Sequence, residues 1–397
     1  MALHNIDPTT LISYTNAVAG HDGTLSDPSG LLFVKPCTAE EIAFYETANA
    51  SYSDLVAFMP TYMGTLTLSN PTEAELQALA SQANGAQTDN VQPRIQMLPS
   101  NHAAAVVGSH IKGKKLVTDQ HVVLGNLSSG FAHPNILDLK LGSRLWDEDA
   151  PAAKRARLDA VSAASTSSSL GFRIAGMRVW QGAGDLPLKQ DVVTRDLAHL
   201  QSDEDGSFLV YNKMFGRSLT LDTVSTGIRD FLLVPCAGIQ KEHALALLSA
   251  FEDGLCQLVS VLENMETRMY SASVLLVYEG DGKVFDEKFR RTQEEEQMNG
   301  KDSAVDGLEG AIGTNGVNGA VDGTVMEDGE YDQEDDDEGE DEDEDKNRLL
   351  TVKLIDFAHA SFVPGQGPDE NVLHGLRSII KILGQLQEEL DSDVDRN

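Results

Sequence analysis

Apolar positions change spacing along the chain, and each change of period marks an element. Leu31-Leu32-Phe33-Val34-Lys35 is a β-rich run that follows the turn-forming Asp27-Pro-Ser-Gly30 and ends in a lysine. Thr38-Ala-Glu-Glu41 has capping-box spacing and opens a helix through Ile42, Phe44 and Tyr45. Leu55 to Leu68 reads as extended chain, and Leu116 and His121-Val-Val-Leu124 as strand. Further on, the pattern predicts a helix over 147–162, a polar linker over 165–169 and a strand over 171–180. Phe215 to Thr220 reads as a turn before a helix capped at Thr220 or Asp222. Leu245, Leu248, Phe251, Leu255, Leu258 and Leu262 recur at helical spacing within 239–265. Strands follow at 270–278 and 350–356, and a last helix starts at Asp369 with Leu373, Leu376, Ile380, Leu383 and Leu386 on one face.

Two stretches fit neither period. Residues 71–103 turn to Gln, Asn and Gly and are expected to be a mobile insertion. Residues 291–347 are Gly, Asn and acidic residues with almost nothing large and apolar. Such a segment buries too little surface to offset its chain entropy, so it is expected to be disordered. Removing it leaves the strands at 270–278 and 350–356 as a plausible antiparallel hairpin.

Charge follows the same division. The chain of 397 residues has a net charge of −33 and is 41% hydrophobic. From Glu294 to Asp345 there are 22 Asp and Glu against Lys301 alone, a net −21. Taking that from −33 leaves −12, moderately acidic, which disfavours direct nucleic-acid binding. An anionic substrate remains compatible if cations converge locally. Three widely spaced cysteines argue for a reducing compartment. No apolar run approaches a bilayer span and no signal-like start is present, so a cytoplasmic and nuclear protein, without membrane attachment, is expected.

The chemistry gathers in three places. In Pro134-Asn-Ile-Leu-Asp138-Leu-Lys140-Leu-Gly142 an extended backbone puts Asp138 and Lys140 on one face. A salt-bridged strand end would look the same. Leu354-Ile355-Asp356-Phe357-Ala358-His359 is an apolar strand running into a carboxylate. Lys35 ends the first strand. A strand lysine, an Asp-Lys pair and a strand-end Asp, in that order, are what kinase-like phosphotransferases use to hold phosphates and magnesium.

The segment from Pro134 to Gly142 fits the PxxxDxKxG signature of the inositol polyphosphate kinases. The whole chain resembles that family's fungal, multikinase-type members. Gly171-Phe-Arg-Ile, Phe215-Gly-Arg-Ser-Leu-Thr, Tyr278-Glu-Gly and Asp369-Glu-Asn add to the resemblance, which covers most of 20–390 outside the two insertions. It implies an α+β, two-lobed, distantly protein-kinase-like fold with the nucleotide in the interlobe cleft. The β-rich nucleotide lobe would be 1–130, and the catalytic and substrate lobe 131–390. The implied reaction is ATP- and Mg2+-dependent phosphorylation of inositol 1,4,5-trisphosphate to tetrakis- and pentakisphosphate. Hexakisphosphate kinase and trisphosphate 3-kinase activities are the alternatives within the family.

Roles come with the resemblance. Lys35 would hold nucleotide phosphates, Gly125 and Leu127 would flank the adenine hinge, and Asp138 would meet the ribose. Lys140 would touch phosphate near the reacting centre, Asp356 would bind magnesium, and His359 would face the inositol phosphate. Lys154 and Arg157, a helical turn apart, would bind substrate, with Arg155 pointing away; as a cluster, Lys154-Arg155-Ala-Arg157 also reads as a nuclear-import patch. The family's SSLL motif stands here as Ala272-Ser273-Val274-Leu275, and its acidic hinge residue as Gly125. Other classes fail on residues. Gly108 to Lys115 nearly matches a P-loop but has Lys115 where a hydroxyl is needed, and the protein-kinase loops are missing. A non-enzymatic reading has the acidic tract binding basic partners such as transcription factors.

Overall fold

A computed structural model describes residues 8–19, 23–67, 118–183, 196–298 and 348–392. The insertion at 71–103, the P-loop-like Gly108 to Lys115, Leu116 and the acidic residues from 299 to 347 lie outside them.

The first sheet has the order β1-β2-β3-β5-β4. Its strands are β1 (Ile12–Ser13), β2 (Leu25–Ser26), β3 (Leu32–Pro36), β4 (Tyr62–Thr67) and β5 (Gln120–Gly125). Between β3 and β4 run α1 (Ala39–Ser51) and the short α2 (Ser53–Val56). The extended chain expected from Leu55 thus begins only at Tyr62, because Leu55 is fully buried in the turn that follows α1.

The second sheet, antiparallel throughout, has the order β12-β11-β6-β7-β9-β8. In chain order its half contains β6 (Pro134–Leu141), α3 (Ala152–Ala163), α4 (Ser167–Leu170), β7 (Phe172–Trp180), β8 (Ala198–Ser202) and β9 (Ser207–Tyr211). Then come α5 (Lys213–Ser218), α6 (Val224–Leu232), α7 (Lys241–Glu263), β10 (Thr267–Met269), β11 (Ser273–Glu279) and α8 (Gly282–Met298). The chain closes with β12 (Leu350–Ile355), β13 (Ala360–Phe362) and α9 (Glu370–Ser392). Length and composition alone would let α7 cross a membrane. Its Leu247, Leu248, Phe251, Leu255 and Leu258 are instead fully buried in the protein core.

The β11–β12 hairpin forms with Ser273 opposite Ile355. Three local readings are corrected. Residues 291–298, expected in the disordered tract, are the last turns of α8, where Thr292 is buried and donates to the Lys288 carbonyl. The polar 165–169 is not a linker but enters α4, because its hydroxyls find partners inside: Thr166 donates to Phe172 O at 2.7 Å, and Ser167 accepts from Arg173. Phe215 to Ser218 is itself helical, and α6 is capped at Thr223, not Thr220 or Asp222.

Lys288 fastens the structure where the acidic tract leaves and returns. Its buried ammonium donates to Gly130 O at 2.6 Å and Arg348 O at 3.2 Å, and faces Glu279 at 3.4 Å. With both flanks held, replacing residues 299–347 by a short Gly-Ser link is expected to keep turnover within about twofold, since a longer or shorter surface connection changes closure entropy little. Steady-state kinetics of the deletion variant check this.

Candidate active site

Sheet register brings the chemistry to one end of the second sheet. Ser273 on β11 lies between Lys140 on β6 and Ile355 on β12. Asp356, the next residue, therefore emerges beside Lys140. Its backbone turns there at φ 68°, a left-handed conformation uncommon outside glycine but accessible to Asp. Stacked rings bring α1 to the same place: Phe44 lies 4.8 Å from Phe357 and 4.7 Å from Phe362, and Tyr45 meets Phe357 edge-on. Leu354 N–H donates to Phe58 O, and Lys353 to Ala57 O, tying β12 to the chain after α2.

The result is a charge relay of four residues. Lys35 Nζ lies 2.9 Å from Glu41 Oε1 and 2.7 Å from Asp356 Oδ1. Lys140 Nζ lies 3.1 Å from Asp356 Oδ2 and donates to Ser271 O at 2.8 Å. Burial alone would raise the Asp356 carboxyl, but the two ammoniums outweigh it and hold it well below the usual carboxylate range. Burial would likewise lower Lys35, yet Asp356 and then Glu41 push it above the ordinary lysine range.

Glu41 is the residue that sequence reading placed wrongly. Its N–H donates to the Thr38 hydroxyl, half of the expected capping box. Its carboxylate, 1% exposed, does not close the box but holds Lys35. The signal was present in the lysine six residues upstream, a pairing that only the α1 packing makes possible.

Asp138 shares the face of Lys140 and is buried, and its Oδ1 has no hydrogen-bond partner. The Ser273 hydroxyl, beside Lys140 in register, is likewise buried, makes no well-formed hydrogen bond, and lies close enough to Asp138 to favour that residue's charged form. Buried polar atoms are seldom left so, and two on one face suit a polar ligand. Burial raises the Asp138 carboxyl, Lys140 opposing and Asp356 adding to the shift. The first SSLL serine is Ala272 here, and of the two serines that could substitute for it, Ser273 faces this site, whereas Ser271 donates its hydroxyl to Leu145 O. At the end of β5, Gly125 and Asn126 donate their N–H groups to Thr61 O and Leu31 O. Leu127 is half-buried, and its N–H makes no backbone bond among the described residues.

A second cluster stands three residues past Asp356. His359 Nδ1 is 2.6 Å from Asp147 Oδ2, and its Nε2 is 3.4 Å from Lys154 Nζ. Lys154 and Arg155 sit in the first turn of α3, which has no acidic residue there. Cations at that helix end oppose the macrodipole, a cost that a bound anion would reverse. Arg157 is exposed and makes no ion pair or hydrogen bond among the described residues. Arg155 has structural partners of its own: its Nε donates to Ala150 O at 2.6 Å, and its guanidinium stacks on Trp146.

Gly142 closes the β6 motif with φ 95°, and a Cβ there would lie 2.5 Å from Asn371 Nδ2. Asn371 in turn accepts from the N–H groups of Ser143 and Arg144, joining the start of α9 to the end of β6. Gly142→Ala is expected to cost roughly 2–3 kcal/mol, read as a melting temperature lowered by about 5 °C.

The family model described as inositol polyphosphate kinase matches residues 121–384, two thirds of the chain. The chain belongs to the inositol polyphosphate kinase family. The inositol polyphosphate multikinase of Saccharomyces cerevisiae is 32% identical over 375 residues, covering 92% of this chain and 95% of that one. The multikinase of Schizosaccharomyces pombe is 29% identical, covering 66% of this chain and 76% of its own. A crystal structure of inositol phosphate multikinase Ipk2 from S. cerevisiae with ADP and Mn2+ superposes with a TM-score of 0.54 at 26% identity, covering 90% of this chain and 99% of that one. The two-lobed α+β kinase fold expected from the sequence is the fold found.

Proposed function

We propose that this chain transfers the γ-phosphoryl group of ATP to hydroxyls of inositol polyphosphates, beginning with inositol 1,4,5-trisphosphate and proceeding to the tetrakis- and pentakisphosphates. The observation that carries the reading is the joining of Lys35, Asp356 and Lys140 at one end of the second sheet. Family membership and the multikinase names of the two fungal relatives support it.

Phosphoryl transfer asks little covalent chemistry of a protein; it asks for positioning and neutralised charge. Lys35 and Lys140 supply positive charge for phosphate oxygens on either side of Asp356. Asp138 and Ser273, with buried polar atoms on the same face that make no well-formed hydrogen bond, suit nucleotide hydroxyls, and Gly125 to Leu127 the base. On the far side Lys154, Arg157 and His359 suit the phosphates of the acceptor.

Magnesium fits this donor set. Among the described residues no three His, Cys, Asp or Glu gather as a metal cage. Magnesium commonly rests on one or two carboxylates and on substrate phosphates, and Asp356 is the carboxylate so placed. When bound, the ion would neutralise charge on the phosphates. The Mn2+ and ADP of the yeast relative's structure support a divalent ion and adenine nucleotide here.

A panel of inositol phosphates with labelled ATP tests the reading. Trisphosphate should be consumed and pentakisphosphate should accumulate. Exclusive use of hexakisphosphate would instead favour the pyrophosphate-forming branch, and a single added phosphate the 3-kinase branch.

Lys154→Ala is expected to raise the inositol-phosphate KM about tenfold, as for one charge-assisted contact, with that for ATP unchanged. Arg157→Ala should act in the same direction. Arg155→Ala should loosen the 146–150 loop, lowering stability and turnover together. An import patch would leave Lys154→Ala and Arg157→Ala kinetically silent and alter only cellular distribution.

The 22 acidic residues of 294–345 favour a second role, contact with basic partner proteins in the nucleus as well as the cytoplasm. Salt-sensitive capture of a basic partner, lost on deleting 299–347 while turnover persists, would separate it from catalysis.

A further inference from the structure

His359 is held from two sides, by Asp147 at Nδ1 and by Lys154 at Nε2. An ammonium can only donate, so Nε2 must offer its lone pair to Lys154. The ring proton then sits on Nδ1 and is donated to the Asp147 carboxylate. One of the two neutral tautomers is thereby selected. We propose that Asp147 is a positioning residue, holding His359 so that its Nε2 lone pair and the Lys154 ammonium together face the hydroxyl and phosphate of an inositol polyphosphate. This rests on the reading above that places His359 and Lys154 at the acceptor.

Asp147 is itself built in. The ring of its neighbour Trp146 meets two guanidiniums, Arg144 at 3.9 Å and Arg155 at 4.7 Å from the ring centroid. The indole N–H donates to Asp159 on α3 at 2.6 Å. Arg155 also ties Ala150 O and Glu148 O, so the whole 146–150 loop is fastened to the helix that carries Lys154. Acceptor-side cation, imidazole and carboxylate are thus fixed as one unit. Burial and the Lys154 charge lower the proton affinity of the ring, while Asp147 and Glu41 oppose them; Glu40 also faces the ring. Once the Lys154 ammonium turns from Nε2 to a substrate phosphate, the neutral ring in this tautomer has its Nε2 lone pair free to accept a hydrogen bond from an incoming hydroxyl, which turns that oxygen's lone pairs toward the phosphate. A flipped tautomer would present an N–H instead and compete with Lys154.

Imidazole nitrogen NMR on the wild-type protein tests the tautomer directly, with a protonated Nδ1 and an unprotonated Nε2 expected at neutral pH. Kinetics with inositol 1,4,5-trisphosphate test the role. Asp147→Asn should lower kcat about tenfold or more with the KM for ATP unchanged, and Asp147→Glu should recover part of it. The double variant Asp147→Asn/His359→Ala should be no slower than His359→Ala, because Asp147 acts through the ring. The opposite tautomer in the wild type, wild-type turnover by Asp147→Asn, or additive losses in the double variant would each overturn the proposal. Wild-type turnover by His359→Ala would overturn the acceptor-site reading itself, and the two failures are therefore distinct.

Discussion

Asp356→Asn is expected to lower turnover about a thousandfold, the loss typical of removing a central electrostatic group. The amide keeps the shape of the side chain but gives up the charge on which a divalent cation would rest. The variant also leaves Lys35 and Lys140 facing each other across an amide. Their side chains are 12% and 18% exposed, so the uncompensated ammoniums are costly. A stability loss of roughly 1–3 kcal/mol follows, below the range for fully buried pairs because Asp356 itself is 26% exposed. The substitution is thus not silent in the fold, as a purely isosteric view would have it. Its pH signature is specific. The folded-state value of Asp356 lies below the unfolded one, near 3.9, so its stabilisation is complete above that value and is lost as the pH falls toward the folded one. Urea midpoints of wild type and variant should differ by a constant amount down to about pH 5 and converge below about pH 4.

Lys140→Met is expected to reduce kcat by about 10²–10³, with a much smaller change in the KM for ATP. Lys35 and the orphaned polar atoms of Asp138 and Ser273 still hold the nucleotide, whereas charge near the transferred group is gone. Lys140→Arg should not restore the rate. The ammonium fits between a carboxylate oxygen at 3.1 Å and the Ser271 carbonyl at 2.8 Å, a place for a point charge and not for a planar fork. Initial rates over a matrix of both substrates separate the two parameters.

Much of this geometry was written locally. The strand ending in Lys35, the Asp138–Lys140 alternation and the strand running into Asp356 follow from period and punctuation alone. So do α7 and α9, whose apolar stripes are long and regular. Glu41 was legible as a cap and misread as only that, since its ion pair depends on Phe44 and Tyr45 packing against Phe357. Asp147 carried no signal: the pattern puts it at the start of a helix that in the fold begins only at Ala152, and nothing local pairs it with His359, over two hundred residues later. The same holds for residues 165–169, whose hydroxyls look solvent-bound in sequence and are satisfied by Phe172 and Arg173 in the fold. Local patterns specify elements; partners separated by hundreds of residues are specified by how those elements pack.

The most direct test is transfer of label from γ-labelled ATP to inositol 1,4,5-trisphosphate by the purified 397-residue chain in the presence of magnesium. Label is expected in tetrakis- and then pentakisphosphate, with transfer about a thousandfold slower in Asp356→Asn. Absence of transfer by the wild type to any inositol phosphate, or undiminished transfer by Asp356→Asn, would contradict it.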